Sequence, residues 1–263
     1  MREYSNKISF TKNSRGIYSL DPTIGCTSGT LENKKGCYND CYASRIAKIY
    51  GYDFSKTVKR DFENTKHLHK IRREIKRVKF PFIRMGTMGD PSEEWEHTIR
   101  ICELIQFEEQ LQLFYEKPKE IVIITKHWTN LTESQMIRLS KMNICINTSI
   151  SALDNESQLK NCLMQYETLK KYCKSILRIV SFDFNLENEK GLKYYNIQKD
   201  LFDKYTMLDT VFRSSKNNIL VTDGIIKIKQ TKFLGKNTLV SKYNKKTFFG
   251  KCKNCQELCG INM

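Results

Sequence analysis

From about Pro81 onward, short β-rich runs alternate with segments of helical periodicity, and this alternation constrains the fold more than any other feature of the chain. The runs are 82–86 (FIRMG), 121–125 (IVIIT), 144–149 (ICINTS), 176–181 (ILRIVS) and 208–212 (LDTVF). Helical patterns cover 93–114, 133–141, 156–174 and 190–205. Strands separated by helices of this length form βαβ units, with parallel strands whose carboxyl ends gather ligands. The expected class is therefore α/β, and periodicity leaves an open sheet and a curved or closed barrel equally available. Before Pro81 the pattern predicts a helix after Cys41 and a long basic helix over 56–78. Past residue 212 the alternation stops. There, 219–229 (ILVTDGIIKIK) sets Asp223-Gly224 between two apolar runs, which predicts a hairpin. With no internal repeat and no disordered linker, the expected organisation is a domain over 1–215 and a C-terminal extension over 216–263.

Ten cysteines in 263 residues are many, and six of them fall in two tight groups near the ends. Cytosolic chains keep thiols reduced and use clustered ones for metals. The other four, Cys102, Cys145, Cys162 and Cys173, stand singly on apolar faces, as packing cysteines do. No stretch reaches the ~18 apolar residues of a membrane span, and MREYSNKISF lacks the apolar core of a secretory signal. A cytoplasmic protein without a membrane partner is expected. Lys+Arg exceeds Asp+Glu by 45 to 29, a formal charge of +16. Such an excess attracts polyanions, nucleic acid first among them. Lys, Asn and Ile are also frequent throughout, so a general compositional bias explains the charge equally well.

Cys26, Cys37 and Cys41 lie in GCTSGTLENKKGCYNDCYA at C-x10-C-x3-C spacing. Three thiolates hold three irons of a [4Fe–4S] cube and leave the fourth open to a ligand. Zinc competes, but a structural zinc site closes with four ligands, and the nearest histidines, His67 and His69, are well downstream. A second trio, Cys252, Cys255 and Cys259, follows C-x2-C-x3-C. It suits another [4Fe–4S] cluster, a zinc with a distant fourth ligand, or a set completed by another chain. A single site shared with the first trio is a further option, because domain termini often lie close together.

The GC…GC…CYA segment, followed by a helix, resembles the cluster loop of radical S-adenosylmethionine enzymes. The likeness is to the DNA-repair-photolyase-like group, relatives of spore photoproduct lyase, and to phage-encoded proteins with a stretched first cysteine interval. The common family spacing is C-x3-C-x2-C, so this chain departs at both intervals. Tyr42 and Ala43 after the last cysteine match. RMGTMGDPSEEWE (84–96) resembles the family's GTMTDPYQPxE: Gly86, Thr87, Met88, Asp90, Pro91 and Glu96 agree, whereas Gly89 and 92–95 do not. IITK, ending in Lys126, is similar to the family's strand with a terminal TK. NTSISALD, with Asn147, Ser149 and Ser151, resembles its strand ending in S-x-S, and Arg178 in ILRIV stands where many relatives carry a basic or polar residue.

The resemblance implies a partial (β/α)6 TIM-like barrel with a cysteine-containing appendage. It also implies that S-adenosylmethionine chelates the open iron and is cleaved reductively to a 5′-deoxyadenosyl radical, with a flavodoxin or ferredoxin as electron donor. Cofactor-facing residues would be Tyr42, Gly86, Thr87, Met88, Asp90, Lys126, Asn147, Ser149, Ser151 and Arg178, with Tyr38 also at the mouth. The substrate implied is large, a nucleic acid (DNA or RNA) by charge. Each piece has a structural role beside it: Asp90 and Pro91 cap and open a helix, Ser149 and Ser151 form turns, Lys126 ends a strand in solvent, and Arg178 pairs with an acid. The competing function is a non-catalytic, zinc-dependent nucleic-acid-binding protein that grips phosphates through the basic run 56–79.

Overall fold

The structure, a computed structural model, describes residues 5–32, 34–61, 65–110 and 119–263. In chain order its elements are β1 (Thr11–Lys12), β2 (Tyr18–Ser19), β3 (Thr23–Ile24), α1 (Tyr42–Ile49), β4 (Val58–Lys59), α2 (Thr65–Arg77) and β5 (Phe82–Met85). There follow α3 (Trp95–Gln110), β6 (Glu120–Thr125), α4 (Glu133–Ser140), β7 (Ile144–Ile150), α5 (Glu156–Leu169), β8 (Lys174–Ser181), α6 (Glu189–Lys204) and β9 (Met207–Ser214). The chain ends with α7 (Ile219–Thr222), β10 (Lys229–Phe233) and β11 (Lys236–Ser241).

Nine strands form one sheet in the order β1-β2-β5-β6-β7-β8-β9-β11-β10. From β2 to β9 all pairings are parallel, and the added strands at either edge are antiparallel. Among the described residues the two edge strands do not pair with each other, so the sheet is open. The alternation of side chains along parallel strands gives the sheet two different faces. Ile83, Met85, Ile121, Ile123, Ile144 and Ile146 form one face and pack with Ile71, Ile75, Ile99, Cys102, Ile105 and Leu139 of the helices. Phe82, Val122, Cys145, Ile176 and Leu208 lie on the other, near the amino ends of their strands. Above them on that face come Arg84, Ile124, Lys126, Asn147, Ser149, Arg178, Val180 and Thr210. That polar upper half faces the cavities described below.

Helices α4, α5 and α6 begin where short polar side chains cap them. Thr132 and Gln135 form a reciprocal capping box, and Asn155 and Asn188 each accept a backbone N–H from the first turn. The strand–helix series therefore follows the sequence pattern closely. The predicted helix over 93–114 opens as a 3-10 turn at Pro91–Glu94 and becomes α3, and its last four residues lie outside the described residues.

Two expectations are corrected. The described part of the basic helix is Thr65–Arg77, and it cannot run from residue 56, because Val58–Lys59 is a strand paired antiparallel with Thr23–Ile24. The hairpin predicted at Asp223-Gly224 is instead the end of a helix. Asn218 accepts the Leu220 N–H to start α7, and Asp223 with left-handed Gly224 (φ 64°) ends it. Ile225 and Ile226 then enter a core with Phe182, Phe184 and Phe212. The hairpin itself is β10–β11, turning at Leu234 (φ 48°) and Gly235 (φ 77°) and pairing with β9. The C-terminal extension thus joins the same sheet. Among the described residues no helix is long and apolar enough to cross a membrane.

Candidate functional site

The first cysteine is positioned through backbone and carboxylate contacts. Gly25 donates its N–H to Met88 O and Cys26 to Phe54 O, both at 2.9 Å. Glu93 accepts the Ser28 N–H at 2.8 Å, the Thr57 hydroxyl at 2.9 Å and the Cys26 thiol at 3.6 Å. A carboxylate at the start of α3 thus orders the loop that carries Cys26.

Cys37–Asn39 forms a 3-10 turn in which Tyr38 (φ 57°) and Asn39 (φ 61°) are both left-handed. For side chains other than glycine this conformation costs about 1–2 kcal/mol per residue. Surrounding contacts hold it. The Tyr38 ring meets Phe182 and Phe212 edge-on at 5.7 and 6.3 Å. Its hydroxyl donates to Asp154 Oδ1 at 2.9 Å, and Asn218 donates to its carbonyl at 2.9 Å. Asp40 accepts the Ser215 N–H and pairs with Arg45 at 3.2 Å. Preceding the turn, Gly36 adopts φ 78°, and a Cβ there would stand 2.5 Å from Cys41 Cβ. Helix α1 begins directly after Cys41.

The facing wall is made by the carboxyl ends of β5, β6 and β7. Asp21 accepts the N–H groups of Thr87 at 2.8 Å and Met88 at 3.1 Å. Asp90 accepts from the Ser92 N–H (3.0 Å), the Ser92 and Thr125 hydroxyls (2.8 and 2.6 Å) and the Lys126 N–H (2.8 Å). It therefore ties the loop after β5 to α3 and to the end of β6. Burial raises the carboxyl of Asp90 above its ordinary range, against those hydrogen bonds. Lys126 Nζ pairs with Asp154 Oδ1 at 2.6 Å, with the two side chains only 8% and 5% exposed. The ammonium also lies 5.1 Å from the Tyr38 ring and 6.0 Å from that of Trp128. Burial opposes its charge, but Asp154, Tyr38 and Cys37 outweigh that and hold the ammonium well above its usual range.

These walls enclose a cavity of about 270 Å³ bordered by all three thiols of the first trio. Tyr38, Tyr42, Gly86, Thr87, Asp90, Lys126 and Ser149 line it as well. Met88 packs beside Cys26 and Cys41 behind the lining. Asn147 and Ser151 are fully buried and do not border it. Asn147 donates to Cys145 Sγ at 3.4 Å and leaves Oδ1 unpaired, while the Ser151 hydroxyl accepts the Leu153 N–H at 3.2 Å. Burial pushes the Cys37 thiol up to about 12, opposed by Lys126 and reinforced by Cys41 and the nearby carboxylates. Cys26 and Cys41 are raised by burial too. Such thiols stay protonated at neutral pH until a cation displaces the proton.

A larger cavity of about 640 Å³ adjoins the first and shares Cys41, Tyr42, Gly86, Thr87, Ile124, Val180 and Arg213 with it. The second trio, Cys252, Cys255 and Cys259, lines its far side together with Arg178. Cys252 packs against Ile17, Phe82, Val122, Cys145, Ile176 and Leu208, at the amino ends of the strands. The second trio therefore packs toward the amino ends of the strands, while Cys41 of the first trio borders the same cavity as Cys252, Cys255 and Cys259. As the side chains stand, no three His, Cys, Asp or Glu groups among the described residues are gathered closely enough to hold a metal ion. Of the single cysteines, Cys102, Cys145 and Cys162 are fully buried and Cys173 partly so.

Sequence reasoning missed Asp21, Glu93 and Asp154, the three acids that position this site. It also missed His127, fully buried and left-handed (φ 49°), whose Nε2 lies 3.0 Å from the Thr148 hydroxyl and whose Nδ1 is unpaired. Only Asp154, three residues after Ser151, carried a signal, as a turn former after a strand. Comparison with known proteins finds no matching family model, no matching curated protein and no matching solved structure.

Proposed function

We propose that this chain is a radical S-adenosylmethionine enzyme, with its parallel strands β2 and β5–β9 acting as a partial (β/α)6 barrel. One observation carries the reading. Cys26, Cys37 and Cys41 border a single cavity together with Gly86, Thr87, Lys126 and Ser149, at the carboxyl ends of parallel strands. The donor set suits a [4Fe–4S] cluster with one open iron. It offers three soft thiols, and the carboxylates around them, Asp40, Asp90, Glu93 and Asp154, are all hydrogen-bonded or ion-paired within the protein.

In this reading the first trio holds the cluster, and the backbone at Gly86–Met88 receives the methionine end of the cofactor. Ser149 and Tyr42, both on the cavity lining, would contact the rest of the cofactor. A reduced cluster held there would supply one electron for reductive cleavage of the sulfonium C–S bond of S-adenosylmethionine. The residues of the chain do the positioning. The Asp21 clasp fixes the Thr87–Met88 backbone, Asp90 locks the strand ends together, and Tyr38, Trp128 and Phe54 wall the cavity against water. Lys126, paired with Asp154, offers positive charge beside Cys37 and stabilises a thiolate there. Arg178 belongs to the adjoining cavity. A nucleic-acid substrate agrees with the net charge of +16, and a flavodoxin- or ferredoxin-like donor would deliver the electron.

The test is anaerobic purification followed by iron, sulfide and zinc analysis and a reductive cleavage assay. Brown protein that releases 5′-deoxyadenosine, with release abolished by Cys26→Ala, Cys37→Ala or Cys41→Ala, is the expected result. Colourless, zinc-containing protein with no cleavage after cluster reconstitution overturns the reading in favour of a zinc-dependent binding protein.

A further inference from the structure

Four arginines border the larger cavity: Arg15, Arg84, Arg178 and Arg213. None has a carboxylate within 4.0 Å among the described residues. Their contacts are few. Arg15 Nε donates to Gly250 O at 3.1 Å, and Arg84 Nε reaches Thr87 Oγ1 at 3.4 Å. Arg178 meets the Cys259 thiol, and Arg213 lies 5.2 Å from the Tyr42 ring centre. A guanidinium carries five N–H donors, so most of this donor capacity is unspent.

Of the acids nearby, Asp21 attracts Arg84 without pairing with it and Asp209 keeps its buried Oδ1 unpaired, yet neither forms an ion pair with any of the four arginines. Asp21 spends its oxygens on the Thr87 and Met88 N–H groups. Asp209 takes the Thr247 hydroxyl, and Glu257 takes the Cys255 thiol at 3.1 Å. Both of these line the same cavity, as does Lys246, which adds further positive charge. Like charges gathered out of water cost free energy that an enclosed anion offsets.

We propose that these four arginines clamp the phosphate of a single nucleotide in the cavity between the two cysteine groups. Phosphate presents two charges and several oxygens, which matches a ring of forked donors better than one carboxylate does. A volume of about 640 Å³ lies within the usual range for small-ligand pockets and excludes a duplex. Tyr42, Phe248 and Phe249 on the same lining supply aromatic surface beside which a base can pack. The cavity floor is closed by the packing of Cys252 against Phe82 and Ile176. The nucleotide is therefore either free or extruded from a strand, as enzymes acting on bases require.

The inference deepens the nucleic-acid half of the function proposed above, and its test needs neither iron nor S-adenosylmethionine. Full-length protein prepared without iron is titrated calorimetrically with deoxyadenosine 5′-monophosphate, with deoxyadenosine and with a single-stranded hexadeoxynucleotide. The monophosphate should bind at least tenfold more tightly than the nucleoside. Arg178→Gln and Arg213→Gln should each weaken its binding tenfold or more with unchanged circular dichroism. The Cys252→Ser/Cys255→Ser/Cys259→Ser variant should still bind, because the arginines and not the thiols hold the anion. Arg178-dependent binding of the hexamer assigns the phosphate to an extruded nucleotide, and binding of the monophosphate alone assigns it to a free one. Affinity indifferent to the phosphate, or unchanged in both arginine variants, or lost in a folded cysteine variant, overturns the clamp.

Discussion

Replacing Asp154 by alanine should be among the most damaging single changes in this protein. The carboxylate sits against Lys126 Nζ at 2.6 Å, with both side chains almost wholly out of water. It also accepts the Tyr38 hydroxyl at 2.9 Å and the Ser151 N–H at 2.8 Å. Removing it strands a buried ammonium, which costs about 3–5 kcal/mol. Lys126→Met leaves Asp154 buried but still hydrogen-bonded twice, so about 2–3 kcal/mol is expected. Replacing both at once, as Lys126→Met/Asp154→Ala, removes both buried charges and leaves only the lost acceptor of Tyr38 and Ser151, so about 2–3 kcal/mol is expected. The coupling between the two positions then comes to at least about 2 kcal/mol. Urea unfolding of iron-free protein at neutral pH measures all three variants. A loss below about 1 kcal/mol for Asp154→Ala, or single-variant losses that simply add in the double variant, would refute the buried pair as the anchor of the cysteine turn.

Further outcomes follow from the same geometry. His127 is buried neutral, its pKa pushed down to about 3 by burial from an ordinary 6.5. A depressed folded pKa means stability present above pH ~6.5 and lost as pH falls toward 3, at about 1.4 kcal/mol per unit. The stability difference between wild type and His127→Gln should therefore shrink by about 2 kcal/mol between pH 6.5 and 5 in urea titrations, and a pH-independent difference contradicts the buried neutral ring. Gly86 holds φ 86°, and a Cβ there would stand 2.2 Å from Ile124 O. Gly86→Ala should cost about 2–4 kcal/mol through left-handed strain and displacement of β6, with a loss under 0.5 kcal/mol in urea unfolding speaking against the close approach. Alanine at Cys252, Cys255 and Cys259 should leave cleavage of S-adenosylmethionine measurable while lowering bound metal, and complete loss of cleavage in a folded variant would place the reaction at the wrong trio.

The parallel strands were legible because each is a short apolar run bounded by polar turns. Predicted and observed limits differ by two residues or fewer at each end, as with 121–125 against Glu120–Thr125. Strands β1 to β4, each two residues long, carry no periodic signal and exist only through their partners. Asp223-Gly224 misled because the same pair serves a hairpin turn or a helix end, and Asn218, five residues earlier, decided between them. At the site, cysteines and glycines were visible from spacing. Asp21 and Glu93 were not, since an acid that holds backbone N–H groups across the fold looks, in sequence, like any surface acid. Nor could spacing show that the C-terminal trio returns to the amino ends of the strands. That placement depends on contacts such as the one between Cys252 and Phe82, far apart along the chain.

The central claim is an open iron beside Cys26, Cys37 and Cys41 that takes S-adenosylmethionine. Electron paramagnetic resonance of the dithionite-reduced Cys252→Ala/Cys255→Ala/Cys259→Ala variant, with and without the cofactor, tests it most directly. A [4Fe–4S] signal whose g values shift when S-adenosylmethionine is added is expected, with no such signal once Cys37 is also replaced. A reconstituted protein with no cluster signal, or with one indifferent to S-adenosylmethionine, would contradict it.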